Sequence, residues 1–270
     1  MKITFLGGGN MANALIGGMR KQGYSAAGIQ VVEPVADLRD KLTDTYGVRC
    51  AEDIDSAAMN CEVWLLAVKP QQLRDAIEPL KDKLTTQLVI SIAAGIRSGD
   101  ISRWLGDYDN IVRAMPNTPA LIGAGITGLY AVPAVDQEGR RSAEKILAAA
   151  GPTLWVEQEA QMDAVTAISG SGPGYVFYFI EALQKAALEA GFDAEAARHL
   201  AVQTFLGAAT LAAQSNESAS VLRERVTSKG GTTEAALKSL DIDAVATAII
   251  RATRAAQSRG VELGDELGRD

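Results

Sequence analysis

The fold is decided by the first stretch of the chain, which reads Lys2-Ile3-Thr4-Phe5-Leu6-Gly7-Gly8-Gly9-Asn10-Met11-Ala12. Its apolar beginning predicts a β-strand over residues 2–6, and the residues after Ala12 have the pattern of a helix. Gly7, Gly9 and Ala12 form the pattern G-x-G-x-x-A between them. The first glycine allows a tight turn, the second lets the backbone approach a pyrophosphate, and the small third residue lets the helix pack on the strand. We therefore expect this segment, called the glycine loop (residues 7–12), to bind a dinucleotide.

A second strand is predicted over residues 29–32, and the residue directly after it is acidic. This residue is Glu33, roughly 20 residues past Ala12, where a ribose-binding carboxylate is expected. A carboxylate there accepts hydrogen bonds from the ribose hydroxyls of NAD and repels the extra phosphate of NADP. Arg39 would offset that repulsion if its side chain folds back. The alternative interpretation is a solvated glutamate at the end of a strand.

Strands and helices continue to alternate up to about residue 158. Further strands are predicted over residues 48–50, 63–68, 88–92, 111–115, 126–132 and 153–156. Helices are predicted over residues 12–23, 35–46, 54–59 and 136–150. The strand at 63–68 is apolar throughout, as a parallel strand buried on both faces should be. This half of the chain is therefore predicted to be an α/β, Rossmann-type doubly wound sheet.

The cofactor site is expected beyond the carboxyl ends of these strands, where open α/β sheets bind ligands. Lys69 and Pro70 follow one strand, residues 93–95 follow the next with side chains small enough for a flat ring, and Asn117 follows a third. The predicted cofactor-binding residues are Leu6, Gly7, Gly9, Asn10, Met11, Glu33, Ala67, Val68, Lys69, Pro70, Ala93, Ala94, Gly95 and Asn117.

After residue 158 the sequence shows only helical patterns. Helices are predicted over residues 163–168, 172–190, 194–213, 221–225, 233–240 and 243–259, with Gly191 as a helix end and Asp193 as a cap. We predict two domains, a dinucleotide-binding domain over residues 1–158 and an all-α domain over residues 159–270. The helix at 172–190 is apolar on nearly every side and should be buried. A second subunit would bury it most simply, which predicts an intertwined dimer; a monomer with these helices packed on the sheet is the alternative.

The most polar stretch of the helical half reads Val226-Thr227-Ser228-Lys229-Gly230-Gly231-Thr232-Thr233-Glu234. Serine and threonine before a helical run act as caps, and glycine lets backbone N–H groups turn towards a guest. The first N–H groups of a helix lack partners within the helix, so its N-terminus can bind an anion. We call this stretch the hydroxyl loop (residues 226–234) and expect it to seat an anion. A cap that only starts a helix is the alternative.

Composition limits the class of protein. The 270 residues are 47% hydrophobic and 22% charged, as in an ordinary globular protein, and the net charge of −7 argues against binding nucleic acid. We expect no membrane span, no signal peptide and a cytoplasmic, reducing location, since Cys50 and Cys61 do not form a disulfide framework. The single histidine, His199, is expected on a helix surface, and no metal site is predicted.

Five stretches carry a resemblance to a known family. They are Phe5-Leu6-Gly7-Gly8-Gly9-Asn10-Met11-Ala12, Leu66-Ala67-Val68-Lys69-Pro70-Gln71, Met115-Pro116-Asn117-Thr118-Pro119, Thr166-Ala167-Ile168-Ser169-Gly170-Ser171-Gly172-Pro173 and Val226-Thr227-Ser228-Lys229-Gly230-Gly231-Thr232-Thr233. In this order they resemble pyrroline-5-carboxylate reductase, the last enzyme of proline synthesis. The chain departs from the family pattern at Lys229, where proline is usual, and at Gly174, where alanine is usual. Glu33 stands in a region where NADP-preferring members tend to have Ser, Asn or Arg.

The resemblance implies reduction of 1-pyrroline-5-carboxylate to L-proline by a nicotinamide hydride, in a dimer whose helical domain holds the substrate. The implied substrate-binding residues are Val226, Ser228, Gly230, Gly231, Thr232 and Thr233. Backbone N–H groups of residues 230–233 and the Ser228 hydroxyl would hold the substrate carboxylate. Thr233 is the predicted catalytic residue, either as a donor to the imine nitrogen or as the end of a water relay.

Several alternatives stay open at this point. One is another reductase on the same plan, an imine reductase or a hydroxyacid dehydrogenase, although Lys185 comes too far along its helix to serve as a general acid. Another is a nucleotide-binding regulatory protein without catalysis. The cofactor is NADP(H) or NAD(H): Glu33 favours NADH, while the family commonly favours NADPH. The resemblance also leaves open a larger ring of dimers.

Overall fold

One eight-stranded sheet forms the frame of the N-terminal half in the computed structural model, which describes residues 1–269. Its strands are β1 (Ile3–Leu6), β2 (Ile29–Val32), β3 (Arg49–Ala51), β4 (Val63–Leu66), β5 (Leu88–Ser91), β6 (Ile111–Met115), β7 (Thr127–Ala131) and β8 (Thr153–Trp155). They lie in the order β3-β2-β1-β4-β5-β6-β7-β8. The predicted doubly wound architecture is confirmed, and the strand order reverses between β1 and β4, where such sheets bind ligands.

The sheet contains one feature that the sequence did not predict. Strands β1 to β6 are parallel, but β7 runs antiparallel to β6 and β8 runs parallel to β7. The connection from β6 to β7, residues 116–126, contains a short 3-10 segment, Thr118–Ile122, in place of a crossover helix. A parallel pair needs a crossover connection of a dozen or more residues, usually a helix, so a connection without such a helix favours antiparallel pairing.

Among residues 1–269, seven α-helices accompany the sheet. They are α1 (Asn10–Lys21), α2 (Ala36–Tyr46), α3 (Ser56–Met59), α4 (Pro70–Ile77), α5 (Ser98–Trp104), α6 (Gln137–Leu147) and α7 (Gln161–Val165), and α7 continues into a π-helical turn, Thr166–Gly170. Five helices follow: α8 (Gly172–Glu189), α9 (Ala194–Gln214), α10 (Ala219–Arg225), α11 (Thr232–Ile242) and α12 (Val245–Leu267). The last helix runs past residue 259, where the sequence pattern predicted its end.

Strand β4 shows how the sheet is buried on both faces. Val63 and Leu65 belong to one hydrophobic cluster and Trp64 and Leu66 to the other, because successive side chains of a strand point to opposite faces. All four side chains are buried. Burial of an aliphatic side chain of this size contributes about 1.5 to 3 kcal/mol, so the unbroken apolar run stabilises the centre of the sheet.

The chain folds into two compact units. Unit 1 contains Met1–Ser171 together with the end of α12 from Ala256 onwards, and unit 2 contains Gly172–Ala255. Within unit 1 the end of α12 packs closely on the loop after β5, since a Cβ built on Gly264 would lie 2.9 Å from the carbonyl oxygen of Gly95. The predicted domain boundary at residue 158 stays a prediction.

Unit 2 exposes much of its apolar surface. Helix α8 has no buried residue, although its sequence predicted burial, and Phe177 on it is 65% exposed. Ile242 at the end of α11 is 84% exposed. The predicted ends nearby are confirmed, because Gly191 follows α8 with a φ of +93° and Asp193 caps α9 by accepting a hydrogen bond from Ala196 N–H. Exposed large apolar side chains in this number are typical of a protein that buries them in an interface.

Candidate functional site

The predicted cofactor residues of the separate strands lie along one edge of the sheet. The ends of the central strands are in register, because Leu6 is aligned with both Val32 and Leu66, and Leu66 is aligned with Ser91. The segments that follow these four residues therefore begin side by side. They contain the glycine loop, Glu33 and the segments after β4 and β5.

Two glycines of the glycine loop have different structural roles. Gly7 has a φ of +100°, and a Cβ on it would lie 2.8 Å from the carbonyl oxygen of Ala67, so the fold itself requires glycine there. Gly9 has an ordinary extended conformation, and a Cβ on it would have no atom of residues 1–269 within 4 Å other than those of its own chain neighbours. The protein's own packing therefore does not explain Gly9, whereas close approach of a ligand does.

The N-terminus of α1 is suited to an anion. Gly9 is its cap residue, no side chain caps it, and its first turn, which contains Asn10 and Met11, has no acidic residue. The first N–H groups of a helix carry partial positive charge and lack intrahelical acceptors. This end of α1 can therefore hold the pyrophosphate of a dinucleotide.

Glu33 lies beside the glycine loop and is held in place. It is 7% exposed, and its two carboxylate oxygens accept hydrogen bonds from Gly8 N–H at 2.8 Å and Val35 N–H at 2.9 Å. Arg39 does fold back, but its Nη1 donates to the carbonyl oxygens of Glu33 and Pro34 at 2.8 and 2.7 Å. It does not pair with the Glu33 carboxylate.

A cleft of about 550 Å³ opens at the ends of β1, β2 and β4. Its apolar lining comes from Leu6, Val32, Pro34, Ile54 and Val68, and acidic side chains also line it. An apolar cleft beside the glycine loop and Glu33 has the place and the character of an adenine site in this fold.

The segments after β4 and β5 present backbone and small side chains to this edge. Lys69 is exposed at the cap position of α4, which begins with Pro70. Ala93 is buried in the hydrophobic cluster, Ala94 is half-buried, and Gly95 is buried against the end of α12. The Ala93 side chain therefore packs into the protein, which leaves mainly backbone of this segment for contact with a ring.

Asn117 has a clear structural role. It is buried, its side-chain oxygen accepts a hydrogen bond from Ile126 N–H at 2.9 Å, and its Nδ2 donates to the carbonyl oxygen of Ser169 at 3.1 Å. The side chain thus joins the segment after β6 to the π-helical turn. Its predicted cofactor contact stays a prediction, and the amide already has a protein partner on each side.

A buried ionic cluster near this edge was missed from the sequence. Arg113 of β6 is 3% exposed and pairs with Glu159 at 3.3 Å and Asp163 at 3.5 Å. Glu159 also accepts hydrogen bonds from the backbone N–H and the hydroxyl of Ser98. The sequence does place an arginine inside an apolar strand, and this indicates an ion pair because a buried charge needs a partner of opposite charge. Its partners, far away in the chain, could not be identified by spacing.

The hydroxyl loop has a different cap from the one predicted. Gly231 is the cap residue of α11, and neither serine nor threonine caps the helix through its side chain. A Cβ on Gly231 would lie 2.5 Å from the Oγ of Ser228, and Gly231 N–H donates to the Ser228 carbonyl oxygen at 3.0 Å. Ser228 therefore folds over the cap position, and Gly230 permits the turn with a φ of +73°.

Glu234 accepts a hydrogen bond from one of the backbone N–H groups of the hydroxyl loop that could otherwise bind an anion. Its carboxylate pairs with Lys238 at 2.9 Å and accepts a hydrogen bond from Gly230 N–H, and these two contacts hold the pKa of Glu234 below its ordinary value. The predicted role of Gly230 N–H as a carboxylate donor stays a prediction, and in this chain the group donates to Glu234. The backbone N–H groups of Thr232 and Thr233 have no acceptor among residues 1–269.

The remaining predicted residues of the loop are accessible. Val226 and Ser228 are exposed, and Thr233 is half-buried in this chain. His199 is exposed on a helix, as expected, and Lys185 is exposed on another. Within the described part of the chain, no three His, Cys, Asp or Glu side chains converge as metal ligands, and no helix is both long and apolar enough to cross a membrane.

Both halves of the chain match known families. Residues 159–263 match a family described as pyrroline-5-carboxylate reductase dimerisation, and residues 2–95 match one described as NADP oxidoreductase, coenzyme F420-dependent. The chain is 42% identical over 268 residues to the pyrroline-5-carboxylate reductase of Pseudomonas aeruginosa, covering 99% of this chain and 98% of that one.

Solved structures give the same result. A pyrroline-5-carboxylate reductase from Coxiella burnetii has a TM-score of 0.93 and 44% identity, covering 97% of this chain and 98% of that chain. The Plasmodium falciparum pyrroline carboxylate reductase, solved with NADP bound, has a TM-score of 0.86 and 28% identity, covering 98% of each chain.

Proposed function

The chain belongs to the pyrroline-5-carboxylate reductase family, and from this premise we propose how its residues perform the family's reaction. It is an NAD(P)H-dependent reductase that converts 1-pyrroline-5-carboxylate to L-proline. The reaction requires one site for the nicotinamide cofactor and one for a small cyclic imine with a carboxylate.

The cofactor site consists of the glycine loop and the neighbouring strand ends. The N-terminus of α1 holds the pyrophosphate, and the space beside Gly9 admits it. Glu33 accepts hydrogen bonds from the ribose hydroxyls, and the cleft lined by Leu6, Val32 and Val68 takes the adenine. When NAD(P)H is bound, its reduced nicotinamide supplies the hydride.

The hydroxyl loop is the substrate site. One observation carries this proposal: the N–H groups of Thr232 and Thr233 have no acceptor among residues 1–269, at the start of an 11-residue helix beside the Ser228 hydroxyl. A helix N-terminus with free N–H groups and hydroxyl donors binds a carboxylate. The ring of the substrate is then fixed through its carboxylate.

Catalysis follows mainly from placement. Fixing the carboxylate orients the imine carbon for hydride addition, and orientation of reactants contributes up to about 7 to 11 kcal/mol in favourable cases. The electron pair of the C=N bond moves to the nitrogen, which must gain a proton. The Thr233 hydroxyl donates a hydrogen bond to that nitrogen, or it ends a water relay that delivers the proton.

The enzyme is a homodimer, as its dimerisation family indicates. The apolar surface of α8 and the exposed Phe177 and Ile242 explain why this chain needs a second copy. A larger ring of dimers, a cytoplasmic location and the lack of nucleic-acid binding stay predictions. Light scattering on the purified protein would test the ring.

Paired threonine variants test the substrate site. In Thr233→Ala we expect kcat to fall at least tenfold while the Kd of the cofactor stays within twofold of the parent value. Thr227→Ala is the matched control, because its hydroxyl donates to the carbonyl oxygen of Arg223 at 2.6 Å and is not available to a substrate. Equal kcat values for Thr233→Ala and the parent would remove Thr233 from the mechanism.

A further inference from the structure

We propose that this enzyme prefers NADH to NADPH, with Glu33 as the specificity-determining residue and Arg39 as a positioning residue. The inference rests on the proposed function only in placing the cofactor ribose beside Glu33. It concerns which of the two cofactors the site accepts, a question that the resemblance to the family leaves open.

Glu33 presents a fixed negative charge where the extra phosphate of NADPH would lie. Its two oxygens are each held by one backbone N–H group, from Gly8 and Val35. A carboxylate has about four lone-pair positions, so two remain for the two hydroxyls of the NADH ribose. A phosphate on the 2′ position has no proton to donate in its fully ionised form and meets like charge instead.

Close packing prevents Glu33 from turning away. A Cβ built on Gly8 would lie 3.3 Å from both Cβ and Cγ of Glu33, and 2.8 Å from Cδ1 of Leu42. Glu33 is therefore confined between the glycine loop and α2, and it is 7% exposed. A cofactor with a 2′-phosphate would have to displace this side chain from a packed position.

Arg39 does not provide a phosphate site, although it is close enough in sequence to be considered. Its Nη1 carries two hydrogens, and both are used by the carbonyl oxygens of Glu33 and Pro34. Its Nη2 reaches the carboxylate of Glu52 at 3.4 Å. Arg39 thus holds the segment that carries Glu33, and binding a phosphate would break these contacts.

The neighbouring cleft reinforces the preference by its charge. Three acidic residues line it, Glu52, Asp53 and Asp75, and its lining residues include no lysine or arginine. A cleft with one sign of charge disfavours a ligand of the same sign. NADPH carries more negative charge than NADH, so it meets the greater repulsion.

Calorimetric titration of the intact dimer with each cofactor, without substrate, tests the inference. We expect NADH to bind the parent protein at least tenfold more tightly than NADPH. In Glu33→Ser the ratio of the NADPH Kd to the NADH Kd should fall at least tenfold, because the substitution removes the carboxylate charge and creates room for a phosphate. Glu138→Ser is the matched control: this exposed glutamate lies beside Val63 and Leu88, the first residues of β4 and β5, at the opposite edge of the sheet.

Arg39→Ala separates positioning from phosphate binding. As a positioning residue, Arg39 should affect both cofactors alike, so the ratio of the two Kd values should stay within threefold. A loss of NADPH affinity at least tenfold greater than the loss of NADH affinity would show that Arg39 binds the phosphate. Equal or tighter binding of NADPH by the parent protein would also overturn the inference, and this measurement holds even if Glu33→Ser does not fold.

Steady-state turnover with the cyclic imine distinguishes this inference from the proposed function. Tight NADH binding without oxidation of NADH would refute the function and leave the preference intact. Proline formation with a higher kcat/KM for NADPH, together with tighter NADPH binding, would refute the preference and leave the function intact.

Discussion

Alanine substitution of two glycines in the same loop should separate cofactor binding from folding. Gly9 has φ −69° and ψ −171°, which alanine adopts without strain, and a Cβ there meets no atom of residues 1–269 within 4 Å beyond its own chain neighbours. Gly7 has a φ of +100°, and a Cβ there would lie 2.8 Å from the carbonyl oxygen of Ala67. Gly9→Ala should therefore affect the ligand, and Gly7→Ala should affect the fold.

The magnitudes follow from these contacts. Alanine at the cap position Gly9 loses a little capping preference but lowers the entropy of the unfolded chain, so the free energy of unfolding should change by less than about 1 kcal/mol. The new methyl group crowds the pyrophosphate, and overpacking of this kind costs about 1 to 3 kcal/mol, or roughly 5- to 150-fold in Kd. Gly7→Ala should lower the free energy of unfolding by about 2 to 4 kcal/mol, from backbone strain and the clash.

Two measurements on each variant decide the outcome. Urea unfolding gives the free energy of unfolding, and calorimetric titration gives the Kd of the cofactor. An unchanged Kd in Gly9→Ala would refute the assignment of the pyrophosphate to this position. A loss of stability in Gly9→Ala as large as that in Gly7→Ala would refute the distinction between the two glycines.

Two further predictions concern charged side chains. Arg113→Met should lower the free energy of unfolding by about 3 to 5 kcal/mol, since it removes the cation that pairs with the buried Asp163 and the half-buried Glu159 carboxylates, whereas Arg49→Met at an exposed ion pair should cost no more than about 1 kcal/mol; urea unfolding compares them, and equal losses would contradict the role of burial. Lys238 and Gly230 N–H lower the pKa of the Glu234 carboxyl in the folded protein. The contribution of the Glu234 carboxylate to stability is therefore present above the unfolded-state pKa and is lost as the pH falls through the lowered folded-state pKa. The urea midpoint of the parent should therefore fall further than that of Glu234→Gln between pH 6 and pH 3, and parallel curves would count against this contact.

Local patterns were sufficient for the architecture of the first half. The apolar run of β4 and the glycine loop each encode their own conformation, so strand positions and the ligand edge could be predicted from spacing alone. The antiparallel β7 could not, because its direction depends on the length of the connection through Thr118–Ile122. The ion pairs of Arg113 could not be predicted either, since its partners lie 46 and 50 residues away in the sequence.

The composition of the hydroxyl loop predicts an anion site, which stays a prediction, but it does not predict the hydrogen bonds within the loop. Serine and threonine predicted a side-chain cap, whereas Ser228 folds over Gly231 and leaves glycine as the cap. The sequence does not indicate Glu234 as the acceptor for Gly230 N–H, because this contact depends on the turn geometry of the loop. Helix α8 was predicted to be buried but has no buried residue in the single chain, because its burial requires a second subunit.

Transfer of deuterium from a cofactor labelled at C4 of the nicotinamide tests most directly whether this chain reduces the cyclic imine by hydride addition. After incubation of the purified protein with labelled cofactor and 1-pyrroline-5-carboxylate, we expect L-proline with one deuterium on the former imine carbon, measured by mass spectrometry and NMR. Proline without deuterium at that carbon, or oxidation of the cofactor without proline, would contradict the assignment.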